Sequence, residues 1–230
     1  MIRQAALAAL CAIGLAACSG GDQGARGALG LVNELRDTLR ANREARRSGA
    51  PAQPQVTRAI LDQLTIGALE VRVEARDLTA VLIPAALRTD SGPGDVAVWA
   101  TVDDAQVILR SGVLYATRGL GRDLASSDVT PAVRAVKTRA AATGAREMQI
   151  RNDNFRADTL RFRCAIDVVG DTTIVIVGRS FAVRHLRERC ENDTGFFEND
   201  YYVDSARDVI QSRQWAGPGL GFLTMRVLKK

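Results

Sequence analysis

The apolar positions change period several times along this chain, and each change marks an element. In residues 69–74 the odd positions Leu69, Val71 and Val73 are apolar, and Glu70, Arg72 and Glu74 are charged. That alternation predicts a strand with one dry and one wet face. Residues 78–83 form an apolar run ending at Pro84, and 89–94 read as a turn. Strands are predicted over 95–102, 105–110 and 113–117, the last two joined by the Ser111-Gly112 hairpin signal. Leu160, Phe162, Cys164, Ile166 and Val168 share one face of a long strand over 155–169. Gly170-Asp171 is read as a turn into a strand over 172–177, and the chain is expected to leave the next strand after about Arg184. Strands over 196–203, 207–215 and 220–227 follow, with 204–206 and 217–219 as turns.

Helical period is rarer. Val32, Leu35 and Leu39 share a face beside a stripe of Arg36, Arg40, Arg43 and Arg47, which predicts an amphipathic basic helix over 28–47. It would lie on anionic headgroups or pack on the domain by its leucine edge; the second is favoured. Thr57 is placed to cap a short helix through Leu64. Thr130-Pro131 opens a helix expected to run to Thr143 and stop at Gly144. Strands joined by tight turns, with a few short helices, make a mainly β protein: an antiparallel meander forming a barrel, half-barrel or sandwich.

The amino terminus alters this picture. One positive charge precedes an apolar core over 5–13, and Leu15-Ala16-Ala17-Cys18 closes it. This is a secretory signal too short to span a bilayer, and its end matches a lipobox with Cys18 as the lipidated residue. The expected organisation is a signal peptide over 1–17, a lipidated tether over 18–55 that holds the basic helix and a Pro-rich linker, and one β-rich periplasmic domain over 56–230. A bacterial lipoprotein of this kind would carry more than one acyl chain, palmitate among them. Ser19 in place of aspartate favours the outer membrane.

Composition narrows the chemistry. The 230 residues carry a net charge of +5, compatible with an anionic partner such as headgroups or an acidic polysaccharide. The export signal sets nucleic acid aside. With Cys11 in the leader and Cys18 taken by lipid, Cys164 and Cys190 are left as a pair in an oxidising compartment, which reads as a disulfide. If Gly170-Asp171 sets the register, Cys164 faces Val177, so Cys190 would reach it from a short helical turn laid over the sheet. Two thiols and one distant histidine, His185, make a poor zinc set. No metal or cofactor is expected, and no catalytic residue is assigned: a lone histidine supports no triad, and Asp103-Asp104 on a strand would point to opposite faces. Trp99, Tyr115 and Trp215 are the candidate glycan or partner contacts, with Tyr201 and Tyr202 the other large amphipathic aromatics.

At 109–121, Leu-Arg-Ser-Gly-Val-Leu-Tyr-Ala-Thr-Arg-Gly-Leu-Gly, and at 212–221, Ser-Arg-Gln-Trp-Ala-Gly-Pro-Gly-Leu-Gly, the chain resembles the GfcB/YjbF family of capsule-polysaccharide lipoproteins. The resemblance extends over the exported domain, the Cys164/Cys190 pair included. It implies a β-rich periplasmic domain on a lipid anchor, working with polysaccharide export or assembly proteins, and no established catalytic residues. The expected function is non-enzymatic assistance to exopolysaccharide or capsule assembly or export, by binding glycan or partner proteins. Two alternatives stand beside it. One is a lipid or lipoprotein carrier with an apolar half-barrel cavity lined by residues such as Leu160, Phe162, Ile166 and Val168. The other is a glycan-modifying enzyme, which would need two carboxylates about 5–10 Å apart in a cleft.

Overall fold

The structure, a computed structural model, describes residues 56–152 and 156–230. The predicted signal peptide, Cys18, the basic helix and the linker lie outside the described residues. Twelve antiparallel strands form one sheet in the order β5-β4-β3-β2-β1-β12-β11-β10-β9-β8-β7-β6. They are β1 (Ala68–Val73), β2 (Leu78–Arg88), β3 (Val96–Ala100), β4 (Gln106–Arg110), β5 (Val113–Arg118), β6 (Leu124–Ser127), β7 (Ala142–Arg151), β8 (Ala157–Ile176), β9 (Arg179–Asn192), β10 (Gly195–Val203), β11 (Val209–Trp215) and β12 (Phe222–Lys229). Two helices join them, α1 (Arg58–Gln63) and α2 (Thr130–Thr138). β5 and β6, the two ends of the sheet, are consecutive in the chain, so the sheet curls into a nearly closed barrel.

Three apolar clusters fill the molecule. One occupies the interior near the turns after β1, β5, β7 and β11; it includes Leu69, Val71, Leu114, Phe162, Phe197 and Leu223. A second lies at the other end, where α2 turns Val129, Ala132, Val133 and Val136 onto Ile166, Leu186, Tyr201 and Val203, plugging that mouth. The third sits on the opposite face of the sheet. There Leu61 and Leu64 of α1 meet Ile176, Val183, Ile210 and Leu228. Arg58 fastens this corner, donating to the carbonyls of Ile176, Val177 and Leu228 at 3.1, 3.3 and 3.2 Å. Thr57 Oγ1 caps α1 by accepting from the Ile60 amide.

Several sequence expectations need correction. Gly170 does not turn the chain. β8 runs on past it through a bulge between Val168 and Gly170, and the turn is Val177-Gly178, both at positive φ. β9 then continues unbroken to Asn192, so Cys164 and Cys190 are direct cross-strand partners, joined by a disulfide with Cα atoms 4.1 Å apart. No helical turn carries Cys190. α2 stops at Thr138, not Thr143. Arg139 takes the left-handed conformation, and the amides of Arg139 and Ala140 bond back to Val136 and Ala135 as in a Schellman stop. The residue that precedes the helix is Val129, with no side-chain cap, and Thr130 is its first helical residue. Gly144 lies within β7, where an added Cβ would stand 2.5 Å from Pro131 Cγ. Pro84 does not end β2. It falls at a bulge where β2 passes its pairing from β1 to β3, a place where a strand tolerates proline.

Candidate functional site

Between the two interior clusters lies a layer of polar side chains, each at most 2 % exposed: Arg146, Glu188, Asn199, Ser212, Gln214 and Ser127. Tyr201, fully buried, joins it. Alternation places them. On β10, residues 197, 199, 201 and 203 all point inward, so Asn199 and Tyr201 are core positions by register despite their polarity.

The layer centres on one carboxylate oxygen. Glu188 Oε2 accepts from Arg146 Nη1, Asn199 Nδ2 and Tyr201 OH, each at 2.7 Å. Arg146 spends its other donors on Ser127 Oγ and the Leu114 carbonyl. Burial disfavours the Arg146 cation, but the Glu188 charge and Tyr201 outweigh it and its pKa is raised. Burial and the Glu188 charge push the Tyr201 phenol well above its ordinary value, against the pull of Arg146, so it stays a donor.

These side chains also replace the missing ladder between β5 and β6. The Gln214 amide imitates a strand: its Oε1 accepts from Leu114 N at 2.8 Å, and its Nε2 donates to the Gly112 carbonyl at 3.0 Å. Arg146 takes the Leu114 carbonyl. Nearer the turn, Leu124 N donates to Thr117 Oγ1, which donates to Asp123. The Gly112 carbonyl and both backbone groups of Leu114 are thus satisfied by side chains from β7 and β11, and Thr117 of β5 in turn satisfies the β6 amide of Leu124. What the layer does chemically is hold the barrel shut.

The two sequence blocks that carry the family resemblance meet here. Gly112 and Leu114 belong to the first and Gln214 to the second. The loop after β5 also touches the β11–β12 turn, where the Arg122 stem lies on Gly219. A family model described as group 4 capsule polysaccharide lipoprotein GfcB, YjbF, matches residues 32–228.

The chain belongs to this family. Among solved structures it is similar to the hypothetical lipoprotein YmcC from Escherichia coli (K12), with a TM-score of 0.66 and 20% identity over 86% of this chain and 95% of that one. That likeness speaks for the fold. No curated protein matches.

In this GfcB/YjbF chain the aromatics singled out from sequence are scattered. Trp215 stacks on Phe197 at 4.6 Å and meets Phe162 edge-on at 5.9 Å, against the first cluster. Trp99 also packs on that cluster, from β3. Tyr115 packs on the second cluster, with the Arg110 guanidinium 5.1 Å from its ring centre. All three are half-buried. His185 pairs with Asp200 at 2.7 Å and stacks on Tyr202. Cys164, Cys190 and Glu188 present their ligand atoms within 4.8 Å of one another. The two sulfurs are bonded to each other, however, so no thiolate is on offer, and Glu188 is committed to Arg146.

Sequence reasoning missed the buried layer. Glu188 and Arg146 sit in strands thick with charged residues, and nothing in their neighbours marks these two as inward. The signal that could have found them is register counted from Cys190 and Met148.

The carrier alternative required an open apolar face lined by Leu160, Phe162, Ile166 and Val168. Phe162 and Ile166 are instead packed in separate clusters, and Val168 is 42% exposed. The apolar hollow beside Val71, Leu78, Leu82 and Val107 holds about 30 Å³, room for a water or two.

Proposed function

We propose that this chain is a lipid-anchored protein of the outer membrane, facing the periplasm, that assists assembly or export of an exopolysaccharide by binding glycan or a partner protein, without catalysis. The observation that carries the reading is membership of the capsule polysaccharide lipoprotein family over residues 32–228. The filled barrel supports it: its inward polar groups bond to one another, which suits a rigid platform that presents its rim and outer face. The anchor on Cys18 and the periplasmic orientation belong to this proposal, as do polysaccharide export proteins as partners and Trp99, Tyr115 and Trp215 as contacts through their exposed edges.

Deleting the gene should lower secreted polysaccharide under conditions that induce it. A Cys18→Ser variant should fail to restore it while the soluble domain still folds. Polysaccharide output unchanged by the deletion would sink the reading. An unacylated Cys18 in the mature protein would sink the anchor.

A further inference from the structure

We infer that the free edge of β8 beyond Ile166 pairs with the same edge of a second copy of this chain, antiparallel about a two-fold axis at Thr173. β7 pairs with β8 only from Ala157 to Ile166, whereas β9 pairs with it on to Ile176. The stretch 167–176 therefore has a ladder on one side only, over about 33 Å at the usual strand rise.

Register says which groups are idle. The two-residue turn at Val177-Gly178 is closed by Ile176 and Arg179 as a hydrogen-bonded pair. Alternation then gives the bonds to β9 to Ile174 and Thr172, and it aims the N–H and C=O of Asp171, Thr173 and Val175 at the open side. No side chain or loop among the described residues bonds to these groups. All three residues are exposed, Val175 to 62%. Residues 172–177 read Thr-Thr-Ile-Val-Ile-Val, an unbroken β-branched run with no lysine or proline. An edge of that composition is one a protein covers rather than leaves to chance pairing.

Three features choose the occupant. Centred on Thr173, the pairing sets idle groups against idle groups: Thr173 meets Thr173, and Asp171 of each copy meets Val175 of the other. It opposes no like charges, whereas a centre two residues earlier would set Asp171 against Asp171. Arg184 takes both Asp171 oxygens at 2.8 Å, with Arg139 at 3.8 Å, so this carboxylate comes to its valine neighbour already neutralised. The two ends of the edge also carry opposite charges. Asp167 at the base and Arg179 at the tip are exposed and without an ion pair among the described residues, and antiparallel pairing brings the tip of each copy toward the base of the other. The bulge between Val168 and Gly170 stays outside the paired stretch. The upstream stretch next to Val56 is a poor rival for the edge, because Pro51 and Pro54 lack the N–H that a ladder needs.

The test uses the full mature chain. In detergent, sedimentation should show a monomer–dimer equilibrium. Thr173→Pro removes an outward N–H and no bond to β9, and it should raise the dimer dissociation constant by about tenfold or more. Val175→Lys should act in the same direction. Circular dichroism and an intact Cys164–Cys190 bridge report that each variant folds. In membranes, Thr173→Cys should form a disulfide-linked dimer on mild oxidation, and Ala165→Cys, where β7 fills the edge, should not. Hydrogen exchange at Asp171 and Val175 should slow as concentration rises. A wild-type chain that stays monomeric with those amides fast, or a dimer indifferent to both Thr173→Pro and Val175→Lys, would overturn the inference. So would slow amides in a monomer, which would put the chain's own upstream residues on the edge, or a Thr173→Cys cross-link to a different protein alone.

Discussion

Two arginine–carboxylate pairs in this barrel have the same length and different consequences. Arg146 meets Glu188 at 2.7 Å, and Arg110 meets Asp90 at 2.7 Å. Both arginines are buried. The carboxylates are not alike: the Glu188 side chain is 1% exposed and that of Asp90 44%. If Arg110 loses its partner, water and the Gly94 carbonyl remain. If Arg146 loses Glu188, it stays a cation in an interior that water does not reach. Bond length therefore says little about what a pair contributes; the surroundings of the weaker-buried partner decide it.

The comparison can be broken most directly at Glu188. Glu188→Gln keeps the shape and removes the charge, and it should cost about 3–5 kcal/mol in urea unfolding. Adding Arg146→Met should recover part of that loss, because the stranded cation goes with it. A loss below about 1 kcal/mol in the single variant would mean that the interior is wetter than its burial implies.

The disulfide beside the layer comes next. It closes a loop with a sequence separation of 26. Cys164→Ala with Cys190→Ala should cost about 3 kcal/mol in chain-entropy terms, read as a lowered Tm that reductant no longer changes. Gln214→Leu should follow at about 1–3 kcal/mol, since it leaves the Leu114 amide and the Gly112 carbonyl without partners. Hydrogen exchange should speed at Leu114 before it does elsewhere in β4 and β5.

The smallest effect belongs to the rim pair. The Arg110 guanidinium, helped by the Gly92 amide, holds the Asp90 carboxyl down to about 2 from its ordinary 3.8. A depressed carboxyl stabilises the fold above its unfolded value and loses that contribution as pH falls through the folded one. The stability gap between wild type and Asp90→Asn should therefore be constant above pH 3.8 and shrink toward pH 2. A gap independent of pH across that window would show that the pair does not form in solution.

Much of the sheet was legible because its signals are local. Alternation gave β1 its wet and dry faces, and Ser111-Gly112 is the two-residue turn it resembles, with both residues at positive φ. The failures share a cause. Gly170-Asp171 has turn chemistry, but it sits in a strand whose pairing with β9 holds it extended. Val177 looks like strand and adopts the turn, a conformation that the flanking pairs impose on a β-branched residue. Arg139 stops α2 where a glycine was expected five residues later. In each case distant pairing overrode local preference. The polar layer was illegible for a related reason. A charged residue on an inward register position looks like any other charged residue until the register is known, and the misplaced turn at Gly170 had shifted the register around Cys164. The contact between the loop after β5 and the 217–219 turn was half visible, since that turn was legible but nothing in one dimension said that Arg122 lies on Gly219.

Arg58 has a mechanical meaning. Its guanidinium grips carbonyls at Ile176, Val177 and Leu228, which are the tip of the longest hairpin and the far end of the last strand. Any tension arriving from upstream of Val56 must pass through that grip before it reaches the sheet. The load is then split between two strand ends some fifty positions apart along the chain, so a pull on Val56 strains several strands at once instead of unzipping one from its edge.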